Sequence, residues 1–310
     1  MPETKIKAAS RSFSKNKILR QELIAAFPNA EFNDEGLTFD ESSLPAFVGD
    51  AEGIVVGLEP INEPTLSSMQ NVKIVAKYGV GLDSVDQDAC RRHDVVVGWT
   101  GGVNRRGVAE MTLGFMLGLN RNLFWSERNL RNHGDWEKIG GRQLSGKTVG
   151  IIGVGFIGQD LVKLLKPFGC EILVNDIIDQ YLFYEENELI ESTKEEVYQK
   201  SDIITLHTPL DESTSGMIDG EVLSKMKETA FLINAARGGL VVQEDLKHAL
   251  INDIIAGAAL DVFEEEPCCD EVFMKLPNLY CTPHTGGSAE ESILAMGRSA
   301  IYHLVNYFNV

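Results

Sequence analysis

The stretch TVGIIGVGFIG, residues 148–158, decides the fold. Thr148–Ile152 is a short apolar run of the kind that forms a strand buried on both faces of a parallel sheet. It leads directly into Gly153-x-Gly155-x-x-Gly158, and a helical pattern follows over 159–168. In that context each glycine has a task. Gly153 permits the tight turn, Gly155 lets the backbone approach a pyrophosphate, and Gly158 lets helix and strand pack closely. The helix N-terminus adds unpaired amides and the positive end of its dipole. A second apolar segment, Glu171–Asn175, ends at Asp176, about 20 residues beyond the glycines. A carboxylate there accepts ribose hydroxyls and repels a 2′-phosphate, and no Arg follows it closely. The pattern points to NAD rather than NADP.

Working outward, short apolar segments at Ile203–Leu206, 230–234, 257–261 and Leu279–Cys281 alternate with helical stretches at 193–200, 219–225 and 243–252. Such alternation predicts an α/β protein with a doubly wound parallel sheet. Upstream, strands at 5–9, 53–57, 73–77 and 95–98 alternate with helices at 15–27, 63–69 and 86–93, a second α/β unit of roughly one hundred residues. Between them, 104–131 reads as one long helix, apolar on more than one face and so buried against two bodies. Gly114 and Gly118 in it admit a close backbone, and Trp125 and Trp136 near its far end read as interface anchors. The last segment, Glu290–Phe308, reads as a helix that crosses back to the first unit.

At 310 residues, with 44% hydrophobic and 24% charged residues, the chain can bury its own core without staples. Its formal charge of −18 disfavours nucleic acid and anionic membranes. No apolar run reaches the length of a membrane span, and MPETKIKAAS lacks an apolar leader. The five cysteines, Cys90, Cys170, Cys268, Cys269 and Cys281, show no disulfide or zinc spacing. The expectation is a cytoplasmic protein without a metal.

Three residues follow strands of the doubly wound sheet: Arg237 in NAARGG, Glu266 in DVFEEEP and His284 in TPHTGG. Ligands bind at the carboxyl ends of such strands, so residues distant in sequence can converge there. A guanidinium grips a carboxylate through paired hydrogen bonds. An imidazole moves a hydroxyl proton, and a paired carboxylate stabilises its protonated form.

These motifs, in this order, resemble the D-isomer-specific 2-hydroxyacid dehydrogenases, most of all the D-3-phosphoglycerate dehydrogenase branch. KYGVGLDSVD (77–86), NRRGVAEMTLG (104–114) and LSGKTVGIIG (144–153) extend the resemblance over nearly the whole chain. It implies a two-domain α/β fold. A Rossmann-type NAD domain, 103–288, is inserted into a smaller flavodoxin-like substrate domain, 1–102 plus 289–310. It implies Arg237, Glu266 and His284 as the catalytic trio, with Phe156 and Ile157 of the glycine loop against the cofactor and Asp176 on the adenosine ribose. Thr208, Ala235, Ala236 and Arg237 would line the nicotinamide side, Asp261 would sit near the carboxamide, and His284 and Gly287 would lie beside the ring. The amides of Tyr78, Gly79 and Val80 would receive the substrate carboxylate, and Asn104 would begin the interdomain helix. A homodimer formed through the NAD domains is the family habit.

The departures from the family pattern bear on substrate. Members acting on phosphoglycerate often carry an Arg after the strand that here ends at Val56, where this chain has Gly57-Leu58-Glu59-Pro60. Glu59 would repel a phosphate, while Lys77, Arg105 and Arg106, all read as solvent-exposed, could supply a charge. Phe156 stands where a basic residue is common, and Gly107 replaces a common Ser. The sequence ends at Val310, so no C-terminal regulatory domain is expected. The expectation is interconversion of a D-2-hydroxy acid and its 2-oxo acid, first of 3-phosphoglycerate. Hydroxypyruvate, glyoxylate or another 2-oxo acid is the alternative, and an NAD(H)-sensing protein of corepressor type is the alternative from another class.

Overall fold

In a computed structural model that describes residues 4–310, the chain folds as two compact units. One is formed by residues up to Asn104 together with Ala289–Val310, the other by Arg105–Ser288. The first unit holds β1 (Ile6–Ala8), β2 (Glu31–Phe32), β3 (Gly53–Val56), β4 (Ile74–Lys77) and β5 (Val96–Gly98). All pair in parallel, in the order β2-β1-β3-β4-β5, the flavodoxin-like winding. β3 and β4 are buried along their whole length, as the apolar runs Ile54–Val56 and Ile74–Ala76 require, and Lys77 at the end of β4 is buried with them.

Helix Lys17–Ala26 is started by Asn16, whose side chain accepts from the amides of Ile18 and Leu19 at 3.1 Å each. The C-terminal helix Glu290–Phe308 belongs to this unit and packs on β4. Its Gly297 lies so close to Leu19 that a Cβ would sit 2.3 Å from the leucine side chain. Ile6, Phe13, Leu19, Leu23 and Leu304, all 0% exposed, fill the space between that helix and the sheet. Each such side chain contributes roughly 1.5–3 kcal/mol by leaving water.

The second unit holds β6 (Thr148–Ile152), β7 (Glu171–Asn175), β8 (Ile190–Glu191), β9 (Ile203–Leu206), β10 (Phe231–Asn234), β11 (Gly257–Leu260) and β12 (Leu279–Cys281). Their order is β12-β11-β10-β9-β6-β7-β8, again all parallel. The chain winds outward from β6 through β8, then returns to β9 on the other side of β6. The boundary between β6 and β9 is the topological switch point where such sheets bind ligands. Apolar layers cover both faces, one around Ile204, Leu223 and Leu246, the other around Met116, Leu161 and Leu165.

The stretch expected as one helix over 104–131 is two, Arg105–Asn120 and Leu123–His133. Asn122 takes the left-handed conformation, φ 51°, which Asn tolerates better than most residues, and its side chain donates to Gly140 O at 2.6 Å. The second helix bends back because Gly118 leaves room for the Phe124 ring, which would lie 2.1 Å from any Cβ there. The helix after the glycine loop starts at Phe156 rather than 159, so the loop's own residues form its first turn. Helix Tyr181–Asn187 and the two-residue strands β2 and β8 carry too little periodicity to be read. Among the described residues no helix is long and apolar enough to cross a membrane. Nor does any group of three His, Cys, Asp or Glu side chains stand ready for a metal.

Candidate active site

The site is built at the carboxyl ends of β6, β7, β10, β11 and β12. Gly153 turns the chain at φ 92°, a conformation that favours glycine. Gly155 is exposed, with nothing within 4 Å of where a Cβ would stand, and it begins helix Phe156–Leu165 without a side-chain cap. The first amides of that helix therefore face an open cradle, the arrangement that receives a phosphate. Gly158 lies against Gly153 O, where a Cβ would come to 2.3 Å. Phe156 is 55% exposed at the rim, and Ile157 is half-buried.

Asp176 closes the cradle at the end of β7. Its Oδ2 accepts from Val154 N at 2.5 Å and its Oδ1 from Ile178 N at 2.9 Å, which fixes the carboxylate against the glycine loop. Gln180 donates to Val154 O at 2.8 Å and braces the same turn. A cradle of open amides beside a fixed, half-buried carboxylate fits the pyrophosphate and ribose of NAD. Gly153, Gly155, Phe156, Ile157, Gly158 and Asp176 are the residues that would hold them.

On the other side of the switch point, Thr208 follows β9, and its hydroxyl meets Met217 Sδ at 3.9 Å. Ala235 and Ala236 are nearly buried after β10. Arg237 is half-buried and donates through Nη1 to Ala236 O at 2.7 Å. Asn234, 1% exposed, shapes this turn by donating to Arg237 O at 2.8 Å and accepting from Ala236 N at 3.1 Å.

His284 and Glu266 are brought together. His284 Nδ1 lies 2.8 Å from Glu266 Oε2, with both side chains open to solvent. His284 holds φ 53°, a strained backbone for a non-glycine residue. Its amide is tied to Asp261 O at 2.8 Å and Thr282 O at 3.0 Å. The Asp261 carboxylate, buried, accepts from Thr282 Oγ1 at 2.5 Å, Thr285 N at 2.7 Å and Gly286 N at 2.8 Å. Asp261 thus clamps the His284 loop, a role its place after β11 does not announce. Gly287 continues that loop and is half-buried.

His207 completes this edge. Its Nε2 is 3.0 Å from Thr205 Oγ1, its Nδ1 is enclosed without a partner, and burial pushes its imidazole down to about 4. Two crevices of the unit, about 150 and 360 Å³, lie away from these residues, at the other ends of the strands beside Phe231 and Ala256.

In the first unit, Tyr78, Gly79 and Val80 follow β4. The Tyr78 amide donates to Val56 O at 2.7 Å and so is not open to a carboxylate as expected; the Tyr78 ring is buried edge-on to Phe13 at 5.4 Å, and Gly79 has φ 144°. Lys77 is 3% exposed, not solvated as its charge suggested. Its Nζ donates to Gly57 O and, at 3.2 Å, to Ser84 Oγ. Glu59 is 8% exposed and accepts from Gly57 N at 2.6 Å. Both charges are thus bound at the ends of β3 and β4, where hydrogen bonds meet the cost of burial. Of the two arginines, Arg106 pairs with Asp160 at 2.9 Å, and Arg105 is exposed. Asn104 is half-buried, its Oδ1 enclosed without a partner.

The model of the D-isomer specific 2-hydroxyacid dehydrogenase NAD binding domain matches residues 113–286. The chain belongs to this family. It is 36% identical over 267 residues to a D-3-phosphoglycerate dehydrogenase of Methanocaldococcus jannaschii, covering 84% of this chain and 50% of that protein. It is 34% identical over 275 residues to a hydroxypyruvate reductase of Thermotoga maritima, covering 86% and 87%. The chain thus spans about half the length of the phosphoglycerate dehydrogenases it matches. Among solved structures, the NAD-complexed D-isomer specific 2-hydroxyacid dehydrogenase of Lactobacillus delbrueckii ssp. bulgaricus superposes with a TM-score of 0.79. It is 25% identical, with 99% of this chain and 98% of that one covered. As a D-2-hydroxyacid dehydrogenase family member, the chain carries the family's NAD-binding domain in its second unit.

Proposed function

We propose that the chain interconverts a D-2-hydroxy acid and its 2-oxo acid, the second unit serving as the NAD domain and the first as the substrate domain. The observation that carries this reading is the His284–Glu266 pair at 2.8 Å, on the strand edge that also bears Arg237. Glu266 on Nδ1 leaves Nε2 as the nitrogen that takes the hydroxyl proton during oxidation, or returns it during reduction. The imidazolium formed by that transfer is stabilised by the same carboxylate. Arg237 takes the substrate carboxylate and draws charge toward the developing carbonyl. NAD, when bound, supplies the hydride acceptor. Asp261 keeps the His284 loop in its strained conformation, and Asn234 keeps Arg237 at its turn.

The substrate we assign is a short, unphosphorylated 2-oxo acid of the hydroxypyruvate or glyoxylate kind. Support comes from the ends of β3 and β4, where Glu59 is buried as a carboxylate acceptor and Lys77 is directed at Gly57 O and Ser84. A phosphate brought there would meet a negative charge. The reading as a 3-phosphoglycerate dehydrogenase is favoured by the names of several relatives. The full trio speaks for turnover over sensing alone. The protein we propose works as a homodimer in the cytoplasm. Leu123, Phe124, Leu130 and Trp136, exposed around the second helix of the broken pair, offer an apolar face to a second copy. The five free thiols fit a reducing compartment.

The acid–base assignment is tested by His284→Gln, which should cut turnover about 10²- to 10⁴-fold with NADH affinity held. A variant as fast as the parent would remove His284 from the mechanism.

A further inference from the structure

The loop after β4 is held from behind at three points. At its start, Tyr78 donates its amide to Val56 O at 2.7 Å and buries its ring against Phe13. At its far end, Ser84 is fastened by Lys77. Between them, the indole of Trp99 donates to Val80 O at 2.8 Å. Trp99 follows β5, which pairs with β4 in the register Ala76↔Gly98, so the indole arrives from the neighbouring strand end. Among the described residues, the amides of Gly79, Val80 and Gly81 donate to no backbone carbonyl. The loop thus presents a run of open N–H groups at 79–81 while the Val80 carbonyl faces the tryptophan.

We propose that Trp99 is a positioning residue for substrate recognition: by taking the Val80 carbonyl, it aims the open amides of the Gly79–Gly81 loop at the substrate carboxylate. The peptide bond is planar and trans, so its C=O and N–H point in opposite directions. Fixing Val80 O on the indole therefore turns the Gly81 N–H to the other side of the loop. Without that bond the peptide plane can rotate, and the amides no longer converge before the substrate arrives. Preorganised donors act because they need no reorganisation at binding. A Trp at this place also explains why a large aromatic is left 36% exposed, since only its N–H has to reach inward.

The inference rests on the loop's expected role, implied by the family resemblance, as a carboxylate receiver alongside Arg237, and the experiment separates the two. Trp99→Phe keeps the ring and deletes the donor. It should raise KM for the 2-oxo acid about 3- to 10-fold, the weight of one hydrogen bond, with kcat, NADH affinity and Tm close to the parent. Trp99→His, which restores a ring N–H, should recover part of the lost affinity. Gly79→Ala strains the loop backbone at φ 144° and reports on the loop independently of Trp99. If Gly79→Ala raises KM and Trp99→Phe does not, the tryptophan has no positioning role and the loop assignment stands. If neither moves KM, the loop is not the carboxylate receiver, and both readings fall. Equal losses of Tm and kcat in Trp99→Phe, without a KM effect, would make the residue merely structural and overturn the proposal.

Discussion

Replacing Gly238 by alanine strikes the link between Arg237 and Glu266 without touching either side chain. A Cβ at position 238 would lie 1.9 Å from both the carbonyl carbon and oxygen of Phe263, and 2.5 Å from Glu264 N. Ordinary contact begins near 3.4 Å, so the Phe263–Glu264 peptide must retreat by roughly 1.5 Å. That peptide is backbone and cannot swing aside as a side chain would. Phe263 N donates to Glu266 Oε1 at 3.1 Å, so the retreat draws the carboxylate with it and opens its 2.8 Å contact to His284. A misplacement of about 1 Å in a reacting constellation costs about 10²-fold in rate, and overpacking of this kind costs about 1–3 kcal/mol of stability. The expected result is kcat reduced about 100-fold, with NADH affinity near the parent because the glycine loop and Asp176 stand on other strands. Gly239→Ala is the matched control. Its Cβ meets only the far end of the Leu210 side chain, at 2.9 Å, and should leave kcat nearly unchanged. Rates come from NADH absorbance at saturating 2-oxo acid, and stability from urea midpoints. If Gly238→Ala turns over within threefold of the parent, the argument that this glycine holds the Glu266 segment in register is refuted.

Three further outcomes follow from the same geometry. His207 is held neutral by burial down to about 4, below its unfolded value of about 6.5, so the unfolded chain binds the extra proton between those limits. Its contribution to stability is therefore neutral above pH 6.5 and becomes a penalty as pH falls, about 3 kcal/mol by pH 4. Urea midpoints of the parent against His207→Gln from pH 7 to 4.5 should converge as the pH rises. A gap that widens with rising pH would contradict the assignment. Asp176→Asn should weaken NADH about tenfold, a charge-assisted hydrogen bond's worth, and narrow the preference over NADPH. Unchanged selectivity in fluorescence titrations would place the ribose elsewhere. Light scattering should give about twice the 34.2 kDa of the chain, and Trp136→Asp with Leu130→Asp should halve it. A parent monomer would leave that apolar face without its proposed occupant.

The parts of the molecule legible in the sequence are those where short-range chemistry and function coincide. The glycine loop shows because three small residues, an apolar strand and an acid fall at a spacing that only the local turn explains. The His284–Glu266 pair shows because both residues lie in the segments that follow neighbouring strands. What escaped depends on distant packing. The break at Asn122 is hidden because the residues around it still follow helical periodicity, and the reason for it is Phe124 turning onto Gly118. Burial of Lys77 and Glu59 is invisible because charge predicts exposure until Gly57 supplies both an acceptor and a donor. Asp261 looks like a ligand-facing acid, yet its partners are Thr282, Thr285 and Gly286, some twenty residues downstream. Trp99 carries no motif at all, and Asn234 opens NAARGG without its part in shaping that turn being visible there. A search for side chains that bond to the backbone of a motif loop would have found both.

The most direct test of the central claim follows NADH absorbance while the purified protein is offered glyoxylate, hydroxypyruvate and 3-phosphohydroxypyruvate in turn. The account predicts oxidation of NADH with the first two and a much lower kcat/KM for the phosphorylated acid. Fast turnover of 3-phosphohydroxypyruvate alone would contradict the reading of Glu59 and Lys77. Tight NADH binding with no turnover of any 2-oxo acid would contradict the catalytic account as a whole.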